Sequence, residues 1–235
     1  MTEIQKAIQK TIKNSKKRDK TNTRYLSWKH CYDFFQQNHD QIEGSKEKME
    51  LAELHLGFYL ASWGMYRGSS FLLNYDYTIH KNAIKTLCCS KLWKPRLDNE
   101  EGFEKYFNDL IKKLNKAYIK YYSEYIKNKN LKTDSTLTNT LVTKIILGTI
   151  GITPAYDRFF KQGVDELNNK LKPCIDGETI KFSKTVSAEE IIKWWKFYKQ
   201  YQSSLKKYNH GYPPMKQIDR FVFELGNKKK KYDTR

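Results

Sequence analysis

An all-α fold, a single-domain bundle of several helices crossing roughly at right angles, is what this 235-residue chain predicts. Three observations carry that expectation. Apolar and aromatic side chains recur at spacings of three and four through most of the length, the period of a helix with one buried face. Only 11 Gly and five Pro are present, too few for the many tight turns of an all-β chain. Patterns that start helices, Asp98-x-x-Glu101 and Ser187-x-x-Glu190, stand directly before apolar-periodic runs. A hydrophobic content of 39% with 14% aromatics supplies material for a substantial core.

Residues 2–20 read as a basic helix with few apolar positions (Ile4, Ala7, Ile8, Ile12), an exposed arm ahead of one helical domain over 21–227. Tyr25, Trp28, Tyr32 and Phe35 mark the next helix, which Gly44 and Ser45 interrupt. Residues 47–67 form the most apolar helix. Leu51, Leu54, Phe58 and Ala61 make one stripe, and Leu56, Tyr59, Leu60 and Trp63 widen it, so this helix is expected to be central and buried. Ser69 or Ser70 would cap a helix through Leu72, Leu73, Ile79, Ile84 and Leu87, closed by Pro95.

Helix 99–128 carries Phe103, Phe107, Leu110, Leu114 and Tyr118 on one face and Lys112, Lys113, Lys116, Lys120 and Lys127 on the other. A polar link over 133–140 precedes the apolar run 141–160. That run holds Gly148 and Gly151, then Pro154, then Tyr156, Asp157 and Arg158 in succession. A short helix reaches about Leu171, and Asp176-Gly177 is the turn chemistry of one small hairpin near 174–184. Ser187 caps a helix with Ile191, Trp194 and Tyr198. Pro213-Pro214 opens the last helix, with Gly226 at its C-cap, and residues 228–235 are a basic tail.

The charge bears on function. Lys+Arg number 44 against 26 Asp+Glu, a formal +18, which suits a polyanion: nucleic acid first, DNA more than RNA, with an acidic protein as the alternative partner. No run of 18 apolar residues spans a membrane. The N-terminal stretch has no apolar signal-peptide core, and Cys31, Cys88, Cys89 and Cys174 form no CxxC pair, so reduced thiols and a cytoplasmic location are expected. Walker, HExxH, GxSxG and dinucleotide signatures are lacking, and the five histidines have no metal-ligand spacing; no cofactor or metal is expected.

Arg67, inside an apolar segment, must find an anion or carbonyls, and Asp157 is the candidate anion; an Arg67–Asp157 or Arg158–Asp157 pair would fix the fold, and Arg67 is otherwise part of a polar pocket. Arg24 and His30, spaced R-x5-H, resemble the loose motif of HEPN ribonucleases, in which such a pair positions a 2′-hydroxyl attack.

The stretch TKIILGTIGITPAYDRFF resembles the region of helix-hairpin-helix DNA glycosylases where a buried helix carries a Lys, a glycine hairpin follows and an Asp comes next. That resemblance puts Asp157 in the catalytic position and Lys144 in that of the Lys. The Lys–Asp spacing here is 13, and Gly148-x-x-Gly151 replaces the family's Gly-x-Gly. The closing MKQIDRFVFELG resembles a helix of uncharacterised relatives, with Asp219 and Gly226 at matching points. The resemblance implies phosphate binding by the amides around Gly148 and Gly151, beside Arg158 and Arg67, with Tyr156 or Trp63 stacking on an extruded base. Without it, Lys144 faces solvent and Asp157 only caps a helix.

Overall fold

The computed structural model describes residues 1–16, 23–88, 93, 97, 99–130, 136–208 and 211–227. Its architecture is all-α, with one two-stranded antiparallel ribbon. The chain divides into two compact units: a terminal unit of residues 1–20 and 153–235, and a central unit of 21–152. The sequence places its boundaries at 20 and 227, with one helical domain between them. The basic tail lies outside the described residues, as does Cys89.

In the terminal unit α1 (Glu3–Lys16) packs on α8 (Ala188–Leu205) and α9 (Pro214–Gly226). Ile4, Ile8 and Ile12 are buried on one side, and Lys6, Lys10 and Lys13 are exposed on the other. Three isoleucines at four-residue spacing are enough to dock this helix, so it is not the exposed arm that its composition suggests. An extended segment over 153–157 leads into α7 (Arg158–Glu166), which continues as a π-helical turn, Leu167–Leu171.

The closest packing in this unit joins α7 to α9, and glycine makes it possible. A Cβ on Gly163 would stand 1.9 Å from the carbonyl oxygen of Val222, and one on Gly226 would stand 1.9 Å from that of Phe159. Gly226 is the last helical residue, and Asn227 takes the C-cap place. Its lack of a side chain therefore serves helix contact and not helix termination. Around this contact Phe160, Trp194, Phe197 and Phe221 form an aromatic core, with Phe182 stacked on Trp194 at 3.5 Å.

The expected hairpin is present: β1 (Cys174–Ile175) pairs with β2 (Glu178–Thr179) across Asp176 and Gly177, both at positive φ. Ser187 caps α8 by accepting from the Glu190 amide at 3.2 Å. The Glu190 carboxylate turns instead to the Ser183 amide and to Lys193, so only half of the reciprocal box forms.

In the central unit α2 (Ser27–Asn38) lies against α3 (Lys46–Ser62), which also touches α4 (Lys81–Leu87) and α6 (Asn139–Gly148). Ser45 caps α3, and the helix stops at Ser62 rather than reaching residue 67. Its buried positions are Met49, Ala52, Glu53, Leu56, Gly57, Tyr59 and Leu60. The stripe expected to face the core faces outward: Leu51 is 39%, Leu54 41% and Phe58 64% exposed. With apolar residues all round, periodicity does not select the inner face.

The helix expected from Ser69 to Leu87 is broken into 3-10 turns at Phe71–Asn74 and Tyr77–His80, followed by α4. Ser70 and Asp76 cap the two turns through the amides of Leu72 and Thr78. Each short polar residue offers the backbone a turn in place of a continued helix. The longest helix is α5 (Glu100–Asn128), capped by Asn99, whose Oδ1 accepts from Gly102 at 3.1 Å. The expected cap, Asp98, lies outside the described residues.

Candidate ligand and nucleic-acid surfaces

The residues singled out in the sequence fall in both units. Tyr156, Asp157 and Arg158 belong to the terminal unit, whereas Trp63, Arg67, Lys144, Gly148 and Gly151 belong to the central one.

Asp157 is half-buried at the N-cap of α7, where Oδ1 accepts the Phe160 amide at 3.0 Å. Tyr156 is fully buried, accepts a hydrogen bond from Trp194 Nε1 at 3.1 Å, and has its phenol pushed up by burial. It belongs to the aromatic core and presents no face for a base to stack on. Arg158 is exposed and lies over the Phe159 ring. Asp219, matched in the last helix, pairs with Lys216 at 2.7 Å and accepts the Ala155 amide at 3.0 Å. It fixes the segment that leads to Asp157.

In the central unit both glycines are buried. A Cβ on Gly148 would meet the Tyr59 ring at 2.5 Å, so this residue makes room for an aromatic side chain. Gly151, at φ +80, turns the chain, and its amide donates to the Ile146 carbonyl at 2.8 Å. The amide expected to face a phosphate is thus spent inside the fold. Lys144 is 3% exposed, not solvent-facing, with Nζ 5.1 Å from the Trp63 ring. Arg24 approaches the same ring at 5.5 Å, so Trp63 receives two cations. Arg67 is exposed, contrary to the expectation of a buried ion pair, and its guanidinium folds over Gly64. Arg24 and His30 are both exposed. His55 is stacked on Phe34 at 4.4 Å, and burial, aided by His30, lowers its pKa.

Two further features stand out. The first is the outer side of α5. At 100° per residue, Lys105, Lys112, Lys116, Lys120 and Lys127 fall on one stripe about 33 Å long, and all five are exposed. Asp109, the acid within the stripe, is neutralised by Lys113 at 2.7 Å. The sequence indicated this face, and the structure adds Lys105 and removes Lys113.

The second is a cavity of about 560 Å³ between the start of α3, the turn Tyr77–His80 and α4. Gly57 brings that turn close: a Cβ there would already be 3.1 Å from Tyr77. Glu53 and Met49 line the cavity as its buried residues, with Glu50, Tyr77, Lys81 and Lys85 nearer solvent. Tyr77 donates to Glu50 at 3.3 Å. Glu53 is 4% exposed, and among the described residues its carboxylate makes no hydrogen bond or ion pair. Burial raises its pKa, and Lys81 opposes that rise. The sequence reading passed over Glu53, although a signal existed: it is an acid in the middle of the most apolar helix.

Behind the cavity His80 is wholly buried between two tyrosines, with Tyr118 2.6 Å from Nδ1 and Tyr66 2.7 Å from Nε2. Burial holds its pKa down to about 3, so the ring is neutral, with one tyrosine donating to it and the other accepting.

No described helix is long and apolar enough to cross a membrane. Compared with family models, curated proteins and solved structures, the chain matches none.

Proposed function

We propose that this protein binds nucleic acid, duplex DNA in preference to RNA, along the lysine ridge of α5. The observation that carries the proposal is the ridge itself: five exposed lysines on one straight stripe, with its internal acid already paired. Its length of about 33 Å compares with about 34–36 Å for one turn of B-DNA. Unpaired ammonium groups along such a line displace condensed counterions from a phosphate backbone, a gain that requires no base contact. The rest of the chain favours the same partner. Of the 44 Lys+Arg, 25 lie in residues 1–20 and 153–235, with only 12 of the 26 Asp+Glu, and α1 presents Lys6, Lys10 and Lys13 outward.

Asp157 has a capping task, Tyr156 is sealed in the aromatic core and the Gly151 amide is spent, so nothing in that stretch recommends base release over a structural role.

Fluorescence anisotropy with a 20-base-pair duplex, titrated across salt concentration, tests the reading. Five phosphate contacts predict a log–log salt slope of about −4 to −5, and each Lys→Ala change on the ridge removes about 1 from its magnitude. The triple variant Lys112→Glu, Lys116→Glu, Lys120→Glu is expected to bind at least tenfold more weakly with an unchanged thermal midpoint. Unchanged affinity and slope in that variant would overturn the assignment. A matched RNA duplex tests the stated preference.

A further inference from the structure

The Glu53 cavity is unrelated to the ridge in composition and calls for a different ligand. Glu53 is 4% exposed, faces the cavity and makes no hydrogen bond or ion pair among the described residues, and only the charge of Lys81 works against the cost of its burial. A bound cation offsets that cost, and a pocket of this volume with convergent polar groups is of ligand-binding size. The nature of the cation follows from the lining. Glu53 and Glu50 offer carboxylate oxygens to a donor, and Met49 offers an apolar flank. Nearer solvent stand Lys46, Lys81 and Lys85 together with Glu43 and Glu50, and the lysines would attract a negative group on the ligand.

We propose that this cavity binds a small zwitterion, an α-amino acid or a close analogue. Its ammonium group would be held at Glu53 and Glu50, with its carboxylate toward Lys81 and Lys85. Ser45, also on the lining, supplies a hydroxyl for the remaining polar atoms, while that of Thr78 already donates to Asp76. Glu53 is the acid at depth, and Glu43, Glu50 and the three lysines lie nearer solvent, so the lining offers both signs of charge outside a buried acid. A simple diamine matches only the acids.

Isothermal titration of the full-length protein with each of the twenty free amino acids, with putrescine and with N-acetylated forms of any binder tests the proposal. The expected result is saturable binding of at least one amino acid below 1 mM (a weak-ligand Kd of the order of that scale), and none by putrescine or the acetylated form. Glu53→Gln keeps the side-chain shape and is expected to weaken that binding at least tenfold without lowering the thermal midpoint, and Lys81→Met is expected to weaken it less. Three results would overturn the assignment: no binding by any amino acid, putrescine binding equal to or tighter than theirs, or Glu53→Gln binding like the parent. Because the probe carries no phosphate and the variants lie off α5, failure here leaves the nucleic-acid reading standing, and failure of the ridge leaves this one standing.

Discussion

The terminal and central units pack their interiors differently. In the terminal unit two helices meet backbone to backbone, because Gly163 and Gly226 leave no side chain between α7 and α9. An apolar aromatic core then closes around Trp194. In the central unit the equivalent depth holds a polar trio, Tyr66–His80–Tyr118, together with the buried acid Glu53, while apolar Leu51, Leu54 and Phe58 are turned outward on α3. One unit gives up side-chain volume to gain contact. The other gives up volume too, at Gly148 against the Tyr59 ring, but it leaves Glu53 buried with no hydrogen bond or ion pair among the described residues, whereas the buried charges Lys216 and Asp219 of the terminal unit pair with each other at 2.7 Å. A buried acid that the fold leaves without a hydrogen bond points toward function, which is why the proposed ligand site lies in the central unit.

The largest effect expected from this contrast is at Gly163. An alanine there puts Cβ 1.9 Å from the Val222 carbonyl oxygen, a backbone atom that only a shift of the whole helix can relieve. Overpacking of this kind costs about 3 kcal/mol or more. Thermal denaturation followed by circular dichroism should show a drop for Gly163→Ala well beyond that for Gly177→Ala, where a Cβ meets nothing within 4 Å and the cost is the positive φ alone. Equal drops would mean that α7 and α9 can separate freely.

The next effect is at His80, and it depends on pH. Its folded pKa, held down to about 3 by burial, lies below the ordinary value of 6.5. The unfolded chain therefore binds a proton that the folded one refuses as pH falls. The stability associated with the neutral ring is complete above about pH 6.5 and declines through the acid range toward pH 3, with a limiting slope of about 1.4 kcal/mol per pH unit. Chemical denaturation from pH 7 to pH 4 should show that slope in the parent and lose it in His80→Gln. Tyr118→Phe, which leaves Nδ1 of the ring without its partner, is expected to cost about 1–3 kcal/mol at pH 7.

Much of this architecture was legible from residues whose meaning is local. Ser45, Ser70 and Ser187 do cap the turns and helices that they precede, and Asp176-Gly177 does make the hairpin turn. These signals need only a few neighbours. What could not be read depends on distant partners. Gly226 looks like a helix terminator in sequence, and only the position of Phe159 reveals it as a contact glycine. Lys144 has the composition of a solvent-facing residue, yet it is buried with its ammonium over Trp63, 81 positions away. Arg67 erred in the opposite direction, because α3 ends five residues before it. The Glu53 cavity was the most recoverable omission, since an acid within LAELHLG breaks an otherwise apolar helix.

The smallest effect is expected at Phe58, and it sharpens the comparison most. On the sequence alone, Phe58 and Phe160 are equivalent: each is an aromatic residue at helical spacing in an apolar run. The structure separates them completely, with Phe58 64% and Phe160 0% exposed. Truncating a buried phenylalanine costs about 3–5 kcal/mol, whereas surface changes stay within about 0.5 kcal/mol. Phe160→Ala is thus expected to lower the thermal midpoint by many degrees, and Phe58→Ser to leave it where it was. If Phe58→Ser destabilised the protein to a comparable degree, the outward stripe on α3 would have to be covered in solution, and the unit that turns apolar groups outward would be packing them after all.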